Sequence, residues 1–291
     1  MRILVTGSHG YIGTAVINEL KTSHPLADLV QVDLVTGNRF EQINDERFDV
    51  VIHLAASTSV EQSEILKSLY IQNNIANTIK LFASNKFDRI VFASTNSVFN
   101  IDGVIEPSSV YGATKLVGEN YLLDEFAEKA AILRIANPIG LRKYHGPILS
   151  HIDSDTASVL HKLALCKLNN EVFLIHNLPG MVRDFIELDV VSKILVDLAT
   201  NKNQLTGLFQ LGSGVGTNVV ELLTSLCMEF GISHDYIDPP HGVDLGYLMD
   251  STNAHKIWGL DRIECNFSEI LKQYIDVLTQ YNDNENSKEY N

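Results

Sequence analysis

The sequence predicts an α/β protein built on a doubly wound parallel sheet, and three observations predict it. A short β-branched run at residues 2–6 passes straight into a glycine-rich turn and then a helical pattern. Further apolar runs at 29–33, 48–54, 90–95 and 131–135 read as buried strands, with helical stretches between several of them. Small or hydroxyl residues, Ala55-Ala56 and Ser94-Thr95, close two of these runs, where a parallel sheet leaves room for a ligand.

At 291 residues the chain can bury a substantial core, as one large domain or as two intimately joined lobes. A net charge of −14 makes nucleic acid or an anionic membrane a poor general partner, so anionic ligands must meet local arginines and backbone amides. Cys166, Cys227 and Cys265 are far apart and odd in number, which suits reduced thiols and no metal site. Met1 leads directly into the first strand, and no apolar run reaches membrane-spanning length. The expectation is a cytoplasmic protein with no membrane partner, and residues 282–291 are expected to be a disordered polar tail.

Taken in order, the strand at 2–6 delivers Gly7-Ser-His-Gly10-Tyr-Ile-Gly13, and Ile12, Val16 and Leu20 mark a helix that ends near Pro25. Glycines at these points allow a tight turn, close backbone approach to a pyrophosphate and close helix packing, while the helix N-terminus supplies amides. The spacing Gly-x-x-Gly-x-x-Gly differs from the main dinucleotide fingerprint, and a glycine turn alone is also a plain tight connection. The next apolar run, from Leu29, ends at Asp33, about twenty residues beyond Gly13, where an acid accepts from a ribose 2′-hydroxyl. That carboxylate would repel a 2′-phosphate and so favours NAD over NADP; Arg39 and His9 keep NADP as the lesser possibility.

The strand at 48–54 carries His53, read as a core histidine with satisfied hydrogen bonds. Residues from about Glu64 to Asn85 read as one long helix. Within it, Asn74 either hydrogen-bonds backbone near a cofactor or faces solvent. The strand ending in Ser94-Thr95 offers a hydroxyl from either residue at the ligand edge of the sheet. Tyr111 and Lys115 follow, four apart on a helix, so that a phenol and an ammonium project from one face. A lysine charge close by lowers a tyrosine's pKa from its ordinary value of ~10. The spacing by itself equally describes a surface pair. After the strand 131–135 come Asn137-Pro-Ile-Gly140, a short strand at 172–176, a second at 207–214, a helix capped by Asn218 and Glu221, and a last helix at about 268–278.

Thr6–Gly13, His53-Leu-Ala-Ala56, Ser94-Thr95, Tyr111-x-x-x-Lys115, Arg134-Ile-Ala-Asn137-Pro-Ile-Gly140 and Arg183-Asp-Phe-Ile186 occur in one order along most of the chain. In that ordered set the sequence resembles the extended short-chain dehydrogenase/reductases, and within them the NAD-dependent sugar-nucleotide epimerases and dehydratases. The resemblance implies a Rossmann-type domain from residues 1–139 plus about 184–213, and a smaller, interleaved α/β substrate lobe from about 140–183 plus 214–281. It implies Tyr111 as acid/base, Lys115 on the nicotinamide ribose and Thr95 on the reacting oxygen. NAD would lie along Gly7, Gly10, Tyr11, Ile12 and Gly13, Asp33, Leu54, Ala55 and Ala56, Asn74, Ser94, the Tyr111–Lys115 pair and Ala136. The nucleotide sugar would meet Thr95, Asn96, Asn137 and Arg183, whose guanidinium suits a diphosphate. Arg183 also has the reading of an exposed salt bridge with Asp184 or Asp189. Family members commonly pair, and a homodimer is expected through helices bearing Ile65-Leu66 and Leu122-Leu123.

The family's 4,6-dehydratases carry an Asp-Glu pair after the catalytic threonine, where this chain has Asn96-Ser97, so dehydration is rejected. The region between Asp33 and Asp49 also falls short of a full strand-helix unit. Hydride transfer at C4 of a nucleotide-activated hexose remains, in an epimerase first and a 4-keto sugar reductase second. His145 and His151 are loop candidates for a second acid in an epimerising reductase. A dinucleotide-binding sensor without turnover is the reading from another class, and the intact Tyr111 and Lys115 argue against it.

Overall fold

The computed structural model describes residues 1–33, 43, 45–141, 158–239, 246–260 and 263–288, with side chains to residue 281. Arg39, His145 and His151 lie outside the described residues, as do most of the positions between Asp33 and Asp45. In chain order the first half is β1 (Arg2–Thr6), α1 (Tyr11–Ser23), β2 (Asp28–Val32), β3 (Arg47–His53), α2 (Val60–Ile65), α3 (Lys67–Tyr70), a π-helical turn (Ile71–Ala76), α4 (Asn77–Ser84), β4 (Lys86–Thr95), α5 (Val110–Phe126) and β5 (Ala130–Ile135). The second half is β6 (Asn137–Ile139), α6 (Val159–Asn169), β7 (Phe173–His176), β8 (Val182–Glu187), α7 (Leu188–Thr200), β9 (Gly207–Leu211), β10 (Gly216–Asn218), α8 (Val219–Phe230), β11 (His234–Ile237), α9 (Thr252–Trp258) and α10 (Phe267–Lys288).

Six strands form one sheet in the order β2-β1-β3-β4-β5-β9, and each neighbouring pair is parallel. Successive side chains alternate between its faces, and both faces are covered. Ile3, Val5, Val50, Ile52, Val91 and Leu133 share a core with Val16 and Leu20 of α1 and with Val191, Ile194 and Leu198 of α7. Their sequence neighbours Leu4, Val51, Ile90, Phe92 and Ile132 pack with Leu81 and Phe82 of α4 and Leu122 of α5. The doubly wound sheet expected from the apolar runs is therefore present, with β5 buried along its whole length.

The remaining strands pair in two small sheets, β10-β8-β6 and β11-β7. A separate core joins them to α6, α8 and α10 through Ile139, Leu163, Phe173, Leu226 and Leu271. The helix α9 does not share it. Trp258 packs edge-on against Phe209 of β9 at 5.5 Å, and Ala254 belongs to the large-sheet core, so this stretch sides with the sheet rather than with the lobe expected from residue 214 onward.

Two helical expectations differ from the structure. The single helix expected over 64–85 is a series of short pieces. Ser59 caps α2 by accepting from the Gln62 amide at 3.2 Å, and Leu66 leaves helical geometry at φ −105° and ψ 41°. The last helix starts at Phe267 and continues to Lys288, through much of the polar segment expected to be disordered. Among the described residues no helix is long and apolar enough to cross a membrane.

At the sheet edge far from the carboxyl ends, Arg89 Nη1 donates to the carbonyls of Leu198, Ala199 and Asn201 at 3.3, 3.1 and 2.7 Å. It thereby satisfies the C-terminal end of α7, which a backbone cannot do for itself. Arg89→Ala is expected to lower the free energy of unfolding by about 2–3 kcal/mol, read as an earlier urea midpoint, with nucleotide affinity unaltered because the residue lies at the opposite end of β4.

Candidate active site

The strand order reverses beside β1, with β2 on one side and β3 on the other, and such a switch point leaves a crevice at the carboxyl ends of the strands. Here it is a cavity of about 640 Å³ running from the glycine loop to Tyr111 and Pro138.

The loop after β1 forms one end. Gly7 has φ +67° and its amide donates to Val32 O at 2.8 Å. A Cβ on Gly7 would stand 2.7 Å from the Ala55 nitrogen, and one on Gly13 would stand 2.0 Å from Gly7 O. Only glycine lets the loop lie this close to β3 and to itself. Gly10 is the N-cap of α1 and no side chain caps that end, which leaves a first turn of amides facing the cavity. Asp33 accepts from the His9 amide at 2.8 Å, so its carboxylate is pinned to the rim of the loop. A cradle open to backbone amides with a fixed acid beside it fits a dinucleotide. Tyr11 and Ile12 line the same end, and the Tyr11 hydroxyl donates to Gly140 O at 2.7 Å, tying the loop to the end of β6.

Leu54, Ala55 and Ala56 line the next stretch of wall. Asn74 does not reach the cavity. It is buried, its Oδ1 accepts from the Ser57 amide at 2.8 Å, and its Nδ2 donates to Ser57 O and Thr114 Oγ1, both at 3.0 Å. Of its two sequence readings the backbone-binding one describes it. Asn73 and Asn77 line the cavity instead, together with Ser57 and Thr58, which sequence reasoning did not single out, and with His9 and Ser97. The Asn73/Asn77 spacing of four was the available signal; the rotation of the helix about its π turn decided which asparagine faces in.

The catalytic candidates converge at the other end. Ser94, Thr95, Asn96, Tyr111 and Lys115 all line the cavity, and Ala136 and Asn137 close it. Thr95 accepts from the Ser97 amide at 3.1 Å and its side chain hydrogen-bonds to Tyr111. Ser109 caps α5 by accepting from the Gly112 amide at 3.1 Å, setting the helix that carries both Tyr111 and Lys115. His53 is buried between Thr6 Oγ1 at 2.7 Å and Thr78 Oγ1 at 3.0 Å. Burial, then the Lys115 charge, pull its pKa down to about 3, so it is a neutral core histidine.

The proton balance differs from the expectation drawn from spacing. Burial pushes Tyr111 up to about 12, the Thr95 hydrogen bond only partly opposes this, and Tyr70 adds to it. Burial likewise pulls Lys115 down to about 7, against the opposing pull of Glu119. Desolvation is the largest influence on both groups, so without a ligand Tyr111 is a protonated acid and Lys115 is poised near neutrality.

Asn137 donates from Nδ2 to Asp184 O at 2.8 Å across the β6–β8 pairing. Arg183 is not among the residues lining the cavity. Its Nη1 donates to Val182 O at 3.3 Å and runs against Gly246, where a Cβ would come within 2.0 Å of that nitrogen. Asp184 is engaged elsewhere, accepting from the amide and hydroxyl of Ser213 at 2.8 and 2.7 Å.

The model of the NAD dependent epimerase/dehydratase family matches residues 3–212. Among curated proteins, the bifunctional UDP-glucose 4-epimerase and UDP-xylose 4-epimerase 3 of Arabidopsis thaliana is 27% identical over 278 residues, 77% of this chain and 79% of that one. Among solved structures, the UDP-N-acetylglucosamine 4-epimerase of Methanobrevibacter ruminantium in complex with UDP-N-acetylmuramic acid has a TM-score of 0.79 at 24% identity, covering 96% of this chain and 98% of its own. The UDP-glucuronic acid 4-epimerase of Bacillus cereus in complex with UDP-glucuronic acid and NAD has a TM-score of 0.76 at 23% identity, covering 96% and 99%. At these identities the structural likenesses establish the fold.

The depressed pKa of Lys115 has a measurable consequence. Between about 7 and the ordinary value of 10.5 the unfolded chain holds a proton that the folded chain has lost, so stability rises with pH through that window. Lys115→Met is therefore expected to stabilise the protein at pH 7 by roughly 2–4 kcal/mol. The gain should disappear as the pH approaches 10.5, which urea unfolding at several pH values measures.

Proposed function

We propose, from the premise that this chain belongs to the NAD dependent epimerase/dehydratase family, that it is an NAD-using 4-epimerase of a nucleotide-activated sugar. The observation that carries this reading is the opening of Thr95, Tyr111 and Lys115 into the same cavity as the glycine loop and Asp33. The relatives described above are 4-epimerases of UDP-sugars by name, which supports the reaction class and leaves the sugar to be found.

In this reading NAD, held by Gly7–Gly13 and Asp33, supplies a hydride acceptor that returns what it takes. The chain's own residues handle protons and position. Tyr111 Oη takes the proton of the sugar's C4 hydroxyl and later gives it back, while Thr95 Oγ1 holds the same oxygen by a hydrogen bond. Tyr111 must become a phenolate to act as base, and the nearby charge that favours a phenolate is the Lys115 ammonium. Asn96 and Ser97, both uncharged, stand where elimination of water would need a carboxylate pair, so the keto sugar is returned rather than dehydrated. Asn137 and Arg183 are assigned to the sugar nucleotide, Arg183 to its diphosphate, which requires the guanidinium to turn from the Gly246 segment toward the cavity. The protein would serve in the cytoplasm, supplying sugar nucleotides for polysaccharide assembly.

A homodimer belongs to the same proposal. Ile65, Leu66, Leu69 and Val117 on α2, the segment after it, α3 and α5 are exposed apolar side chains, 77% exposed in the case of Ile65. Leu122, in contrast, is fully buried in the monomer core. Sedimentation is expected to give a dimer for the intact protein and a monomer for Ile65→Asp/Leu69→Asp.

Mass spectrometry of the nucleotide released on denaturation tests the cofactor, and incubation with UDP-, dTDP- and GDP-hexoses tests the reaction. NAD near one equivalent and interconversion of one C4 epimer pair are expected. Tyr111→Phe should lower kcat by about 10²–10⁴-fold while NAD stays bound. A protein that arrives empty, binds NADPH better than NADH and reduces a 4-keto sugar would replace the epimerase by the reductase.

A further inference from the structure

Directly beneath the tyrosine–lysine pair lies a buried ion pair to which the reaction above gives no task. Glu119 is 1% exposed. Arg134 donates to it from Nε at 3.0 and 3.1 Å and from Nη2 at 2.6 Å, and Ser94 Oγ donates to the same carboxylate. The guanidinium is in turn packed over the Phe99 ring, 4.9 Å from its centroid. Buried ion pairs are weak contributors to stability, because apolar residues of the same shape often replace them at no loss. What distinguishes this one is its place. Tyr111, Lys115 and Glu119 are each four residues apart on α5 and share one face of it.

The same strand meets all of them. Phe92 and Ser94, two apart on β4, face α5 together. The Lys115 ammonium sits over the Phe92 ring at 4.0 Å, and the Glu119 carboxylate is bound by Ser94. An aromatic face attracts a cation, but by itself does little against the loss of water that a 4% exposed amine has suffered. A carboxylate one helical turn away does more.

We propose that Glu119 is a positioning residue of the active site: locked by Arg134 and Ser94, its carboxylate supplies the counter-charge that keeps Lys115 an ammonium beside Tyr111, and it fixes the hydroxyl end of β4. The purpose of this arrangement rests on the epimerase reading; its physics does not. The other groups facing Lys115 do not replace it. His53 on β3 is neutral, Tyr111 and Tyr70 are protonated phenols, and Arg134 on β5 is a cation like Lys115 itself. Glu64 on α2 reaches α5 at the Val110 amide, 2.8 Å away and at the far end of the first turn. The direction of the Lys115 pKa agrees, since Glu119 is the charge that raises it against burial.

Heteronuclear NMR of lysine-labelled, cofactor-free protein tests this, with the Lys115 resonance assigned by its loss in Lys115→Met. In the unsubstituted protein Lys115 is expected to titrate near neutrality. In Glu119→Gln and in Glu119→Gln/Arg134→Met it should titrate at least about one pH unit lower, a tenfold change in proton affinity. The alkaline limb of kcat/KM should move down with it. The double substitution leaves no unpaired charge, so it carries the comparison if the single one fails to fold. A Lys115 titration unchanged in the double variant would overturn the proposal and reduce Glu119 to a partner for Arg134. Absence of epimerase activity in the unsubstituted protein would overturn the functional reading alone, with the NMR shift still deciding this one.

Discussion

An amine buried to 4% exposure between a helix and a sheet is the arrangement on which the rest of this site depends. It forces a sequence of accommodations. Lys115 needs a polarisable surface and a counter-charge, so Phe92 lies under it and Glu119 one turn beyond it. Glu119 then needs its own partner, which β5 supplies as Arg134. The helix must also lie very close to β4 and to the turn that follows it. A Cβ on Gly112 would be 2.1 Å from Ser97 O, and one on Gly118 would be 2.9 Å from the Phe92 ring. The two glycines that bracket Lys115 are therefore part of the same requirement as the lysine, although neither touches a reacting group.

The sheet was legible because its cause is local. A strand covered on both faces has few polar positions to spare: the runs at 3–5, 50–52, 90–93 and 131–133 are apolar throughout, and Arg134, the one charged residue of the fifth strand's run, is taken up by Glu119. The chain between Ser59 and Ser84 was less legible because its apolar spacing is compatible with one helix, while its breaks are made by contacts from a distance. Tyr70 Oη donates to Ser59 O at 2.6 Å, and Asn74 is consumed by Ser57 and Thr114. Neither partner is recognisable from the segment itself. Trp258 similarly belongs to the large sheet because Phe209 and Asp197 meet it, its Nε1 donating to Asp197 at 2.8 Å.

The site was legible to the extent that spacing fixes it. Four residues on a helix bring Tyr111 and Lys115 to one face, and the same rule, extended one turn, would have found Glu119. Three glycines with short intervals mark the loop. Which asparagine of the neighbouring pair at 73 and 74 faces the cavity depends on helix rotation, and the direction of Arg183 depends on a segment more than sixty residues later, where Gly246 makes room for it. Both lie beyond what one stretch of sequence encodes.

The sign of the tyrosine's pKa was the deeper discrepancy, and it bears on how such a pair works. Spacing alone suggests that the lysine makes Tyr111 more acidic, yet burial makes it less so, at about 12. An exposed tyrosine would titrate near its ordinary value with or without substrate, because water screens every charge brought near it. At positions largely withdrawn from water, a charge delivered by a ligand acts on Tyr111 and Lys115 at a lower effective dielectric than that of water, where each interaction is stronger. The burial that keeps Tyr111 protonated at rest is thus the condition under which ligand charge moves its proton.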